Sequence, residues 1–425
     1  MPGWWNNDSR GSTTVFLSIA LAGMVLVASI LFIGAKSSAG KSAADAALQL
    51  AGRSILSEYD RRLLSDYGLL AFRGDEAAIE GDAAYYANAT LDPKSPAYAL
   101  YRSGGDKIRG LNTKATSVTV NLKEYSLLDL GNFEDQLKSA YLAGAVKNLA
   151  GRKGGGSPGA ADTRDRTLRR ESIIASLPSN GYDAPFFPIL DDIGDLPDLT
   201  QVLSAGASTS IANEYALTVF SNKFDGTAES DRFFSNEVEY IVAGRYGDES
   251  NYSSVKTRIS AIRFILNNIS IAKDPVRQAK IEKVALAVAA ATEGLGEEPA
   301  RLFCTEAWVA AETRNDIMLL ESGRKVPFFK TTSQWATENL EEIMDGIFSD
   351  TPVLPSGSGG QSYTDYLRIL LFMTDRETKL LRIMDLMQIN LKGGYYKEFL
   401  MREYYTGFRL TAEVDGDEFS YVQKY

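Results

Sequence analysis

The sequence predicts a mainly α, α+β fold. One long N-terminal helix, half membrane-spanning and half amphipathic, carries a mostly helical head with a small antiparallel sheet that includes a C-terminal hairpin. Three observations predict it. Residues Val15 to Gly34 carry no charge and are mostly apolar, about the length that crosses a bilayer as a helix. Helical periodicity then continues without a proline to Tyr67. The final segment changes to a period of two around Asp415-Gly416, which is a hairpin signal.

Composition sets the outer limits. The chain has 425 residues, 44% hydrophobic and 24% charged, ordinary globular values. A net charge of −10 disfavours nucleic acid as a partner, because phosphate binding needs a basic face. There is no histidine. Ser-His and Cys-His nucleophile pairs and His-ligated metals are therefore excluded, and carboxylate or Ser-Lys chemistry is left. The single cysteine, Cys304, excludes an intrachain disulfide and reads as a small buried hydrophobe.

The elements follow in order. Residues 1–12 form a short leader or cytoplasmic tail, and 13–35 the transmembrane helix. Between Val15 and Gly34 there are twelve Leu, Ile, Phe or Val residues, which together favour insertion by about 4 to 7 kcal/mol. Phe16, Leu17, Leu21, Val25, Leu31 and Phe32 are the lipid-facing anchor residues, and Ser18, Ala22 and Ser29 form a small-residue stripe along which another membrane helix could pack. The rival reading is a signal peptide, with cleavage after Ser37-Ser38-Ala39, but its apolar core would be shorter and its start more basic. Lys36, Lys41 and Arg53 follow the span and Arg10 precedes it, so charge alone does not orient it. The stretch "GAKSSAGKS", Gly34 to Ser42, imitates a phosphate loop. Its glycines are one residue too far apart, and an apolar helix stands where a strand is required.

Residues 36–68 extend the helix. Leu48, Ala51, Ile55, Tyr59, Leu63 and Tyr67 share one face, and Gly68 supplies a left-handed stop. A continuous helix from Thr14 to Asp66 would be about 80 Å long, with a bend expected at Gly34 and Gly40. Residues 69–150 are the first part of the soluble head. They comprise a loop and helix over 74–89, a strand through Val118, Val120 and Leu122, and an amphipathic helix over 132–150. Residues 151–200 are a linker, glycine-rich over 151–166 and then punctuated by Pro178, Pro185, Pro188 and Pro197. Residues 201–425 are the helical head, with apolar periodicity over 255–271, 275–292, 300–322 and 363–391. Gly323 closes one helix and "PSGSGG", at 355–360, is a loop. Phe408, Leu410 and Ala412 alternate before the Asp415-Gly416 turn, and Phe419 and Tyr421 follow it. The Ser117 strand is expected to join this hairpin, since a lone two-stranded ribbon is marginal.

Candidate sites divide by spacing. Arg73-Gly74-Asp75 spells an integrin-binding tag but sits where a turn is expected. Ser38 and Lys41 have S-x-x-K spacing without the partner motifs of a Ser-Lys enzyme. Asp191, Asp192, Asp195 and Asp198 do not follow a calcium-loop ladder, and Asp415 and Asp417 read as turn chemistry. Glu312 and Asp316 share a helical face, with Glu306 further round it. Two acids on one helix lack the opposed geometry of glycoside hydrolysis, so a salt-linked packing face with arginines such as Arg301 or Arg314 is expected. The same holds for Glu237 and Glu239 beside Tyr240. No catalytic residue, metal or cofactor is expected.

A bare apolar half and a packed half on one helix is the plan of a pilin subunit. "GSTTVFLS", Gly11 to Ser18, resembles the start of tight-adherence (Tad) pilus pseudopilins. The resemblance implies processing between Gly11 and Ser12. Phe16 stands where that family carries the glutamate that compensates a neighbouring subunit's new amino terminus. The blocks "SEYDRRLLSDYGLLAF", "FFSNEVEYIVAG", "CTEAWVAAETRNDIMLLESGRKVPFFK", "YTDYLRILLFM" and "RIMDLMQIN" resemble a domain-of-unknown-function family of single-pass bacterial, mostly Gram-positive, surface proteins encoded beside such pilus genes. This second resemblance implies an outward-facing C-terminal head at the cell membrane, with lipid and pilus or secretion-system subunits as partners. The expected function is therefore a non-enzymatic, pseudopilin-like minor component or assembly factor. The alternatives are a tethered enzyme acting on cell-wall polymer and an adhesin or receptor head. No small-molecule substrate is evident.

Overall fold

The computed structural model describes residues 10–92, 94, 113–144, 174–180, 210–225, 232–292, 296–346, 351–355 and 359–425, with side chains from Thr13 onward. The glycine-rich linker 151–166 and Asp191, Asp192, Asp195 and Asp198 lie outside the described residues. The chain divides into two units. The first comprises Met1–Asp60, Leu70–Leu127 and Glu403–Tyr425, and the second Arg61–Leu69 and Leu128–Arg402.

The first unit is built on α1 (Arg10–Leu56), whose helical bonding runs through Gly34 and Gly40 without a break. From Thr13 to Ile33 the large apolar side chains are exposed, and this helix is long and apolar enough to cross a membrane. Ser18 and Ser29 donate their hydroxyls to the Thr14 and Val25 carbonyls, each at 2.8 Å. Both hydroxyls are thereby satisfied within the helix, as a polar group facing lipid would require.

Further along α1, Ala44, Ala47, Leu48, Ala51 and Ile55 are buried on one stripe. They meet α3 (Glu76–Leu91), whose Ala83 and Ala87 are fully buried. Alanine facing alanine lets the two backbones approach, while Leu48 and Ile55 each contribute about 1.5–3 kcal/mol by burial. Beneath lies an antiparallel sheet ordered β2 (Ala115–Asn121), β4 (Gly407–Val414) and β5 (Asp417–Lys424). Val120 opposes Leu410, which opposes Tyr421, so the early strand does join the hairpin. Along β4, Phe408, Leu410, Ala412 and Val414 are buried, while Arg409 and Glu413 are exposed. The two-residue turn places Asp415 and Gly416 at φ 54° and 84°, the left-handed pair such a hairpin needs. A small ladder pairs β1 (Phe72–Arg73) with β3 (Tyr404–Tyr405).

The amphipathic stripe beyond Ile55 requires a correction. The helix stops at Leu56 and restarts as α2 (Arg61–Tyr67), and Leu63 and Tyr67 are buried in the second unit instead. The break follows from where the next backbone donors go. Ser57 N–H is shared between the Arg53 and Ser54 carbonyls, Glu58 N–H bonds the Ile55 carbonyl, and Asp60 N–H is taken by Ala71 O at 2.9 Å. The tightened last turn cannot propagate once the next donor points to another strand of chain. Gly68 follows at φ 72°, the expected left-handed stop.

The second unit is helical: α4 (Leu130–Leu142), α5 (Ile211–Val219), α6 (Glu237–Ala243), α7 (Asp248–Ala272), α8 (Pro275–Ala291), α9 (Glu297–Glu321), α10 (Leu340–Met344), α11 (Tyr363–Met373) and α12 (Arg376–Gly394). The pattern over 363–391 is thus two helices. The Asp375 carboxylate caps the second by accepting from Thr378 N–H at 3.0 Å, and Thr374 is extended. Asp274 starts α8 in the same way, with Pro275 in the first turn where its missing N–H costs nothing. Gly323 ends α9 at φ 76°. Ile281, Cys304, Trp308 and Trp335 form the core of α7 to α10.

Candidate functional site: buried acids and the exposed apolar helix

On the apolar half of α1, Phe16, Leu17, Leu21, Val25, Leu31 and Phe32 are each 58–72% exposed. Gly11 and Ser12 fall in the helix's first turn. At the other end of the apolar run, Lys41 bonds Asp417 at 2.9 Å. The S-x-x-K lysine and the acidic hairpin tip are therefore each other's partners. Arg73 pairs with Glu403, Gly74 N–H bonds the Glu403 carbonyl, and Asp75 caps α3 by accepting from Ala78 N–H. All three residues of the integrin-like tripeptide are spent on local structure.

Glu312 and Asp316 do lie on one face of α9, fully buried. Their partners are not Arg301 or Arg314. Arg301 pairs with Glu298 on the surface. The buried cations are Arg263, from α7, and Lys330, from the connector after α9, which bonds both carboxylates. Arg263 gives Nε–H and Nη2–H to Asp316 Oδ2 at 3.0 and 2.8 Å. Its other donors reach the Pro327 and Phe328 carbonyls, the Tyr366 hydroxyl and Asn267 Oδ1. Glu312 accepts from the Ala336 and Thr337 N–H groups and from the Thr337 hydroxyl. Burial alone would push the Asp316 carboxyl up, but Arg263 and Lys330 outweigh it and hold the group below the usual carboxylate range. Beside this cluster Arg277 lies between the rings of Trp308 and Trp335, 4.9 and 4.7 Å from their centroids.

The sequence carries a signal for this cluster that helical spacing of the acids does not reveal. Arg263 sits on the same helical stripe as the buried Ile259, Ile262 and Leu266. A guanidinium on an apolar face requires a buried acid. Lys330, at the end of "VPFFK", follows an apolar connector for the same reason. Chemically the arrangement is a clamp: each acid oxygen is occupied by donors that tie 327–337 to α7 and α9.

Glu237 and Glu239, on α6, differ from each other. Glu237 pairs with Arg232 at 2.6 Å and accepts from Ser221 and Asn390. Glu239 accepts from Lys223 N–H at 3.0 Å and the Tyr363 hydroxyl at 2.8 Å, and its second oxygen has no hydrogen-bond partner among the described residues. Burial pushes this carboxyl up to about 7, against the two donors. Tyr240 instead donates to Asp385 at 2.8 Å. Cys304 is buried in the core, which pushes its thiol up and away from reactivity.

A family of unknown function, DUF5702, matches residues 188–416, more than half of the chain. The chain belongs to that family. The family segment contains both acid clusters and ends in the β4–β5 turn, leaving α1 and β2 outside it. No curated protein and no solved structure matches the chain.

Proposed function

We propose that this member of the family is a non-enzymatic, single-pass membrane protein. Its extracytoplasmic head would serve a tight-adherence pilus or secretion system as a pseudopilin-like minor component or assembly factor. The observation that carries the reading is the division of α1: one unbroken helix is bare and apolar from Thr13 to Ile33, and from Ala44 to Ile55 it is the buried spine of an antiparallel sheet. Such a helix anchors and supports at once, because the anchored rod and the folded unit share one backbone. The alternative of a tethered enzyme draws no support from Glu312 and Asp316, whose oxygens are taken by Lys330, Arg263 and the connector backbone.

Crosslinking in intact cells followed by purification tests the reading. Pilus or secretion-system subunits are expected to copurify, and their consistent absence would overturn the proposed role. Amino-terminal mass spectrometry with protease shaving tests the anchor. The expected result is a retained span, starting at or before Ser12, with a shaved C-terminal part. A mature start beyond Ile33, or a head protected from protease, would contradict it.

A further inference from the structure

The second unit holds a cleft of about 660 Å³ between the end of α9, the connector that follows it and the Gly359-Gly360 turn, a size suited to a small molecule. Its lining joins two kinds of charge. Lys330 and Asp316 are buried, and with Glu312 and Arg263 they make two cations balanced by two carboxylates. Arg324 and Lys325 are exposed, adjacent in sequence and engaged in no ion pair among the described residues. The cleft therefore carries two adjacent positive charges with no ion-pair partner among the described residues, on a chain whose net charge is −10.

The glycine wall is also built to a purpose. Val326 and Gln361 exchange backbone bonds of 3.0 and 2.8 Å, bringing Gly360 so close that a Cβ there would lie 2.3 Å from the Val326 carbonyl carbon. Gly360 has a φ of 130°, so a side chain is excluded on both counts. The bridge fixes the connector bearing Arg324 and Lys325 against a side-chain-free wall.

We propose that this cleft binds a small oxyanion-bearing ligand, an organic phosphate or a carboxylate, through Arg324 and Lys325. A guanidinium offers paired donors matched to either oxyanion, and the neighbouring ammonium adds a point charge. Clamping of the connector by the buried cluster gives both cations a fixed base.

The test is titration calorimetry on the full chain in nonionic detergent, with inorganic phosphate in one arm and citrate in the other, at constant ionic strength. Saturable binding is expected in at least one arm, and the arm that binds identifies the ligand's chemistry. The double variant Arg324→Gln/Lys325→Gln is expected to weaken it at least about tenfold, the effect of losing one charge-assisted hydrogen bond or more. Arg301→Gln, an exposed arginine paired with Glu298, is expected to bind as the parent does. No saturable binding in either arm, or equal binding by the parent and the double variant, would overturn the proposal.

Discussion

The pocket around Asp316 and the pocket around Glu239 both bury a carboxyl in the second unit, and the two acids titrate in opposite directions. Asp316 faces Arg263 and Lys330 and is held below its usual range; Glu239 faces one backbone N–H and one tyrosine hydroxyl, and burial lifts it to about 7. Burial is nearly complete in both, so the difference lies in what was buried with the acid. A cation brought into the interior converts a carboxylate into a clamp. Neutral donors alone leave it poised between its charged and uncharged forms.

The largest expected effect comes from removing the cation. Lys330→Met leaves Glu312 and Asp316 side by side, buried and short of one partner, and should destabilise the protein by about 3–5 kcal/mol. Urea unfolding of the full chain in detergent measures this. A loss below about 1 kcal/mol would mean that the cluster relaxes or fills with water, and the contrast between the two pockets would fail.

The comparison also shows what the amino-acid sequence made legible. Elements whose cause is local were readable: the apolar run from Val15, the Gly68 and Gly323 stops, the Asp415-Gly416 turn and the alternation along β4 each follow from nearby residues. The strand through Val118 was readable because a two-stranded hairpin needs a third partner. The break after Leu56 was not, because its cause is Ala71, a residue beyond the next helix. The acids on α9 were correctly placed on one buried face. Their partners were misassigned, because helical spacing nominates neighbours such as Arg301, whereas Arg263 lies 53 positions away and Lys330 arrives from a connector. Arg263 on an apolar stripe was the overlooked clue. Helical spacing does not distinguish Glu239 from Glu237, since that difference depends on Arg232, five positions before Glu237, reaching one and the distant Tyr363 the other.

Glu239→Gln should give the next largest effect, with the opposite sign. The folded value of about 7 lies above the 4.5 of a free glutamate. The native state is therefore favoured below pH 4.5, and that advantage is lost as pH rises through 7. The gap corresponds to about 3 kcal/mol. Replacing the carboxyl by an amide should therefore stabilise the protein by up to about that amount at pH 8 and change little at pH 4. A pH series of urea midpoints checks it, and a pH-independent difference would remove Glu239 from the titrating groups.

Tyr363→Phe probes the same pocket from its donor side. The hydroxyl bonds Glu239 more strongly when the carboxyl is ionised, so its loss should cost about 2 kcal/mol at pH 8 and about 1 kcal/mol at pH 5. Losing a donor to the charged form also raises the Glu239 value further, so the fall of stability with pH should be deeper and should continue to higher pH. The same pH series read on the variant reports both.

The smallest effect is expected where spacing alone would have put the acids' partner. Arg301 and Glu298 form a pair at 3.0 Å with both side chains more than half exposed, and water and salt screen such pairs. Arg301→Ala should shift stability by less than about 0.5 kcal/mol, and raising the salt concentration should erase even that. Lys330→Met should instead keep most of its loss in high salt, because a buried pair is poorly screened. Unfolding both variants at low and high salt thus separates a surface contact from a buried clamp on the same helix. Equal salt sensitivity in the two would place the Glu312–Asp316 cluster in contact with water.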